Sequence, residues 1–161
     1  MFILKISIIH RRLKFNSMKP RTRARSIALQ ALYEIDITGH PAELVITERL
    51  SETPLEGNLG EFARTIVFGI LPIVHELDQV IAKHAPEWPL DQVATIDRNI
   101  MRIALWEIAV SNQTPLKVAI NEAVELGKLY GSDSTPRFVN GVLGSLALHY
   151  NDIVQHFKNL N

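Results

Sequence analysis

The chain has 161 residues, of which 47% are hydrophobic and 21% charged, as in an ordinary globular protein of one domain. It contains no cysteine, which excludes a disulfide framework, a thiolate nucleophile and a cysteine-based zinc site. The formal net charge is zero. The lack of cysteine fits a reducing compartment, and we expect a cytoplasmic protein.

The zero net charge hides an uneven distribution. The first 25 residues hold eight of the 17 Lys and Arg residues and no acidic residue, so the remainder carries nine bases against 17 acids. A basic arm on a body of net charge minus eight favours an anionic partner that binds at the arm alone. A solvated basic tail is the alternative.

Residues 1–17 lack the features of a signal peptide and are too short to span a bilayer. Met18 then opens a stretch that reads as a natural start. We therefore expect residues 1–17 to be a disordered or non-native extension outside the fold, and residues 18–161 to form one helical domain. A weak membrane anchor is the other interpretation of the extension.

Apolar residues recur at helical spacing through most of the domain. The predicted helices are residues 21–38, 42–50, 61–84 with a break near Leu71, 96–111, a helix starting at Pro115, and a last helix that Ser134 or Thr135 caps. Residues 96–111 are apolar almost all round, which predicts a central buried helix. No segment reads as a paired strand, so we predict an all-α fold: a compact single-domain bundle of about six or seven helices.

The last predicted helix contains the dipeptide Asn140-Gly141, which usually marks a turn. The apolar stripe of Val139, Val142 and Leu143 continues through it, so a helix is favoured. Gly141 and Gly144 lie three residues apart, and we expect them to allow another helix to approach closely.

The motifs of catalysis and metal binding are missing. The sequence has no HExxH, GxGxxG, Walker A or GxSxG motif, and its six histidines are scattered. Glu122 and Glu125 fall on a polar helix face that we expect to be solvated. Glu107 lies on an apolar stripe, so its carboxylate must be paired or hydrogen-bonded; a structural role is favoured over a functional one. We predict no enzyme activity, no catalytic residue, no cofactor and no metal.

Three arginines stand at the start of the first predicted helix. Arg21 and Arg25 share one side, whereas Arg23 points away from them, with Gln30 further along its face. Guanidinium groups spread at a helix end suit a phosphate backbone, and Gln30 can bond a base edge. An arm that contacts acidic protein surfaces is the main competitor.

The segments "RTRARSIALQALY", "VAINEAVELGK" and "RFVNGVL" occur in an order that resembles the NusB family of transcription antitermination factors. The resemblance covers residues 19–150. It implies an all-helical, non-enzymatic protein that binds boxA RNA in ribosomal RNA leaders together with NusE, a small-subunit ribosomal protein. The complex would join RNA polymerase and suppress premature termination. Family members vary in self-association, so a homodimer stays open.

The resemblance also implies a set of RNA-binding residues: Arg21, Arg23, Arg25, Gln30, Ser134, Arg137 and Phe138. Two positions depart from the family pattern, because Thr22 replaces a frequent base and Ser134 replaces a usual Asp. Phe138 lies at the rim of the apolar stripe, where a half-buried ring could stack on an unpaired base. A non-enzymatic helical adaptor with a basic arm remains the alternative function. NusB-like domains also occur fused to methyltransferases, but this chain has no room for that domain.

Overall fold

The computed structural model describes residues 12–160, and these residues form an all-helical fold. We number eight α-helices in chain order: α1 (Pro20–Thr38), α2 (Ala42–Glu52), α3 (Leu59–Ile70), α4 (Val74–His84), α5 (Thr95–Leu105), α6 (Leu116–Tyr130), α7 (Thr135–Ala147) and α8 (Tyr150–Lys158). A π-helical turn, Trp106–Ser111, continues α5. The predicted fold class is confirmed.

Helix α5 lies at the centre of the bundle. It packs against α1, α4, α6 and α7, and its apolar residues Ile100, Met101 and Leu105 are fully buried. Its polar residues Asp97, Asn99 and Arg102 are buried as well and are hydrogen-bonded, as Arg102 is to Asp78 at 2.7 Å, so the helix can be covered on most sides. The prediction of a central buried helix is confirmed.

The predicted break between α3 and α4 is present as the 3-10 turn Leu71–Ile73, which contains Pro72. Proline lacks an N–H donor and clashes with the preceding turn, so the α-helix cannot continue unchanged. By length and composition alone, Leu59–His84 could cross a membrane, with a mean hydropathy of 1.5. In this fold, however, α3 packs against α1 and α4 packs against α5, and residues such as Ile66 and Leu77 are fully buried in the protein core.

The described residues contain eight α-helices rather than six or seven, partly because the C-terminal segment is divided. Helix α7 ends at Ala147, and α8 begins at Tyr150 after a short turn in which the His149 N–H bonds to the Leu146 carbonyl. The Tyr150 hydroxyl donates to the Asn112 side chain, 2.8 Å away. The apolar stripe of α7 therefore stops before Tyr150, and α8 packs back on the π-helical turn.

The expected close approach at Gly141 and Gly144 is wrong. Both residues are exposed, and a Cβ atom added to either would meet no neighbouring atom within 4 Å. Close packing occurs at Gly69 instead, where an added Cβ would lie 2.5 Å from the Trp106 indole. The spacing of glycines along one helix does not reveal which element packs opposite them. Within residues 12–160, no element packs on the face of Gly141 and Gly144.

The predicted extension is only partly described. Residues 1–11 lie outside the described residues, so their placement stays a prediction. Residues 12–17 are helical, and Phe15 is half-buried against the hydrophobic core. The Met18 N–H bonds to the Phe15 carbonyl at 3.1 Å and ends this short segment just before α1.

Candidate nucleic-acid interface

The three arginines of the basic arm, Arg21, Arg23 and Arg25, lie in the first two turns of α1. Pro20 occupies the first turn, where its missing N–H costs nothing, and no acidic residue lies there. The guanidinium groups of Arg21 and Arg25 lie 4.9 Å and 5.4 Å from the centroid of the Phe62 ring. The two arginines therefore share a side, as predicted, and Phe62 on α3 supports both through cation–π contacts.

Arg25 does not face solvent. It is only 3% exposed, and its Nε and Nη2 atoms each donate to a Glu107 carboxylate oxygen at 2.8 Å. Glu122 lies 3.3 Å from a third guanidinium nitrogen. Burial alone would lower the pKa of Arg25, but the bonds to Glu107 and the two carboxylate charges raise it above its ordinary value. In this structure Arg25 therefore holds α1 against its neighbours, with its guanidinium almost fully buried between two carboxylates.

The two carboxylates that meet Arg25 are structural partners. Glu107 is 1% exposed and also accepts a 2.9 Å bond from the Thr114 hydroxyl, which confirms that its carboxylate is paired. Glu122 accepts a 2.8 Å bond from the Thr22 hydroxyl and is partly buried. The expectation of a solvated Glu122 is wrong, because α1 covers this part of α6.

Arg23 and Gln30 lie on the other side of α1, as predicted. Both line a groove of about 860 Å³. The Nε atom of Arg23 is buried without a hydrogen-bond partner among residues 12–160. Gln30 already bonds inside the protein: its amide nitrogen lies 3.3 Å from the Tyr130 hydroxyl, and its oxygen accepts a 3.1 Å bond from Arg49. A base edge would have to compete with these bonds.

Tyr130 is the last residue of α6, and its hydroxyl also hydrogen-bonds to Ser26 on α1. A loop follows Tyr130 and leads to α7. That loop is anchored by Thr135, which donates to Asp97 at 2.9 Å and accepts from the Ser132 N–H at 2.9 Å. Burial raises the pKa of Asp97, and the Thr135 bond partly offsets that rise. The side chains of Ser134 and Thr135 do not cap α7 as expected. Ser134 precedes α7 without a capping bond and remains exposed.

The start of α7 presents two of the predicted RNA-binding residues. Arg137 is exposed, and Phe138 is half-buried against the core. The Phe138 ring meets Trp88 edge to face, with centroids 6.1 Å apart and planes inclined by 73°. Trp88 lies in the loop between α4 and α5 and is 54% exposed. The pair offers an aromatic surface next to a cation.

The structure thus gathers the predicted residues into two groups. Arg21, Arg23, Arg25 and Gln30 lie on α1, and Ser134, Arg137 and Phe138 lie at the start of α7. No hydrogen bond or ion pair joins the two groups within residues 12–160. Sequence reasoning missed the residues that support them, namely Phe62, Trp88, Asp97 and Tyr130. The exposed Trp88 in a proline-bounded loop was the one available signal, because the other three look like ordinary core or surface residues.

Comparison with known proteins identifies the family. The NusB family model matches residues 22–148 of the chain. The chain belongs to the NusB family. The match includes Arg23, Arg25 and the whole of α7, and it excludes residues 12–17.

Several curated NusB relatives are similar over most of their length. The transcription antitermination protein NusB of Roseiflexus castenholzii is 47% identical over 134 residues, which are 82% of this chain and 94% of that protein. The protein of the same name from Bacillus subtilis is 40% identical over 129 residues, covering 80% of this chain and 95% of its own. Both relatives are named as transcription antitermination proteins.

Solved NusB structures share the fold. NusB from T. maritima superposes with a TM-score of 0.76 at 29% identity, over 85% of this chain and 98% of that chain. A chain from a crystal structure of the antitermination factors NusB and NusE with double-stranded RNA gives a TM-score of 0.75 at 26% identity, over 83% of this chain and 99% of that chain.

Proposed function

We propose that this chain is a transcription antitermination factor that binds boxA-type single-stranded RNA of ribosomal RNA leaders together with NusE. Membership of the NusB family supports the proposal, as do the relatives named as antitermination proteins. A related structure that contains NusB, NusE and RNA supports the choice of partners. The factor would act in the cytoplasm, within an antitermination complex on RNA polymerase, and would catalyse no reaction.

One observation carries the proposal: within residues 12–160, Arg21 and Arg23 of the arm form no ion pair, whereas Arg25 does. Arg21 is exposed at the N-terminus of α1, with its guanidinium held over the Phe62 ring. Arg23 has a buried Nε with no partner in the described part of the chain. The Arg23 side chain lines the groove of about 860 Å³, where its positive charge would attract a phosphate. Arg25 contributes indirectly, by fixing α1 through Glu107.

The second half of the proposed surface is the start of α7. Arg137 is exposed beside Phe138, and Phe138 meets the exposed Trp88. Unpaired bases stack on aromatic rings, which a paired duplex cannot offer, so this surface favours single strands. Ser134 in the adjoining loop has an exposed hydroxyl that can bond sugar or phosphate oxygens.

The proposal can be tested by measuring the affinity for short single-stranded and double-stranded boxA-type RNA at several salt concentrations, with and without NusE. Each phosphate neutralised on a single strand contributes about −0.7 to the slope of log K against log salt. The double variant Arg21→Ala/Arg23→Ala should therefore flatten that slope by about 1.4. The matched control is Lys83→Ala/Lys158→Ala, which removes two exposed cations from other helices.

The alternative adaptor function predicts a different result. An adaptor would show no salt-dependent RNA binding, and the arm variant would weaken only its protein contacts. Preference for the duplex over the single strand would contradict the boxA part of the proposal and leave RNA binding in place. A homodimer that hides the arm would appear as RNA affinity that falls as protein concentration rises.

A further inference from the structure

Residues 12–17 precede the region that the NusB family model matches, yet they lie on the folded domain. Phe15 is half-buried against the core, and the Ser17 hydroxyl donates to the Lys14 carbonyl at 2.8 Å. Phe15 thus anchors one side of the short helical segment. Arg12 and Lys14, whose side chains are exposed, are presented beside α1.

Arg12 and Lys14 line the same groove of about 860 Å³ as Arg23. Arg49 also lines it, but its guanidinium bonds to Gln30 and lies 3.9 Å from a Glu34 carboxylate oxygen. Glu52 supplies the one carboxylate among the groove-lining residues that the structure describes. The groove therefore concentrates positive charge on a body that is otherwise net acidic.

Arg23 is the third cation that we assign to this groove. The Nε atom of Arg23 is buried and has no partner within residues 12–160. This nitrogen is covered by protein atoms, so a ligand in the groove would interact with the positive charge of the Arg23 guanidinium rather than with the Nε atom itself. Three cations, Arg12, Lys14 and Arg23, line one space, which a nucleic-acid phosphate suits in charge.

We propose that residues 12–17 extend the RNA-binding surface, with Arg12 and Lys14 neutralising backbone phosphates of the strand that Arg23 contacts. The inference rests on the proposed function, because it assumes that α1 binds RNA. It adds a second row of phosphate contacts upstream of the family's arginine cluster. It also assigns Phe15 a positioning role, since the ring fixes the segment on the core.

The test compares full-length variants in the same salt-dependent binding assay with single-stranded RNA. Arg12→Ala/Lys14→Ala should flatten the slope by about 1.4 and weaken binding roughly tenfold near 0.1 M salt. The control Lys83→Ala/Lys158→Ala should leave the slope unchanged. Because Arg12 and Lys14 are exposed, thermal unfolding followed by circular dichroism should be the same in the variant and the unaltered chain.

Phe15→Ala provides a second measurement that changes no charge. Loss of the anchor should weaken RNA binding several-fold, whereas Phe15→Leu should retain it. A slope and affinity equal to those of the unaltered chain in Arg12→Ala/Lys14→Ala would overturn the inference. If Arg21→Ala/Arg23→Ala still flattens the slope in that case, the proposed function stands. Failure of the unaltered chain to bind RNA would overturn both.

Discussion

Arg25 and Glu107 form a bidentate ion pair between α1 and the π-helical turn, with two hydrogen bonds of 2.8 Å. Both side chains are almost fully buried, at 3% and 2% exposure. A planar guanidinium matches a carboxylate in this geometry, which a lysine could not reproduce. One arginine of the basic arm is therefore part of the scaffold that holds the other two.

We expect Arg25→Ala to destabilise the protein by about 3–5 kcal/mol, because it leaves the Glu107 carboxylate buried without its main partner. Urea unfolding would measure the change. Arg25→Met/Glu107→Leu should lose less than the two single changes together, since neither member of this pair remains buried without the other and Glu122 keeps its bond from Thr22. If Arg25→Ala keeps its stability and loses only RNA affinity, the arginine is a phosphate ligand after all.

Two glycines should respond to alanine in opposite ways. Gly69→Ala places a methyl group 2.5 Å from Trp106, so we expect a loss of about 1–3 kcal/mol from overpacking. Gly141→Ala meets open space in an exposed helix and should stabilise by about 0.5–1 kcal/mol. Urea unfolding of the two variants and of the unaltered chain would measure both changes in the free energy of unfolding. A destabilised Gly141→Ala would show that this position needs glycine for a reason other than space.

The aromatic pair at the start of α7 should matter for RNA more than for folding. We expect Phe138→Ala to weaken binding of single-stranded RNA roughly tenfold, as stacking on a ring contributes about 1–3 kcal/mol per base. Trp88→Ala should weaken binding with little change in stability, because Trp88 is 54% exposed. Phe138→Leu keeps apolar volume without a ring face. Normal RNA binding by Phe138→Leu, together with unfolding of Phe138→Ala, would make Phe138 a core residue only.

Stability should fall in mild acid because of His84. Burial lowers its pKa below 6.5, and the charges of His149 and Lys83 lower it further. The folded state thus favours neutral His84. The contribution of His84 to the free energy of unfolding is therefore present above pH 6.5 and is lost as the pH falls through the lower pKa of His84 in the folded protein.

Melting temperature should therefore drop between about pH 7 and about pH 5, and less so in His84→Gln. The rings of His84 and His149 lie 5.1 Å apart, in a second groove that Asp152 and His156 also line. The exposed His40→Gln is the control. An equal drop in both variants would assign the acid sensitivity to other groups.

Much of the secondary structure could be predicted because local rules decide it. The period of the apolar residues predicted six helical segments, and Pro72 predicted the break between α3 and α4. The separate helix α8 was missed, since the apolar pattern runs on through the turn at His149. The pairing of Glu107 could be predicted from its place on an apolar stripe, although its partner could not.

The sequence by itself determined the helical pattern, the family and the basic character of the arm, because each depends on residues close together in the chain. Only the tertiary structure decided which arginines are held in ion pairs: Arg25 is paired with Glu107, 82 positions away, whereas the Nε atom of Arg23 has no partner within residues 12–160. It likewise decided that Gly69 and not Gly141 is closely packed. Burial and pairing depend on what lies across the core, and helical spacing carries no record of that neighbour.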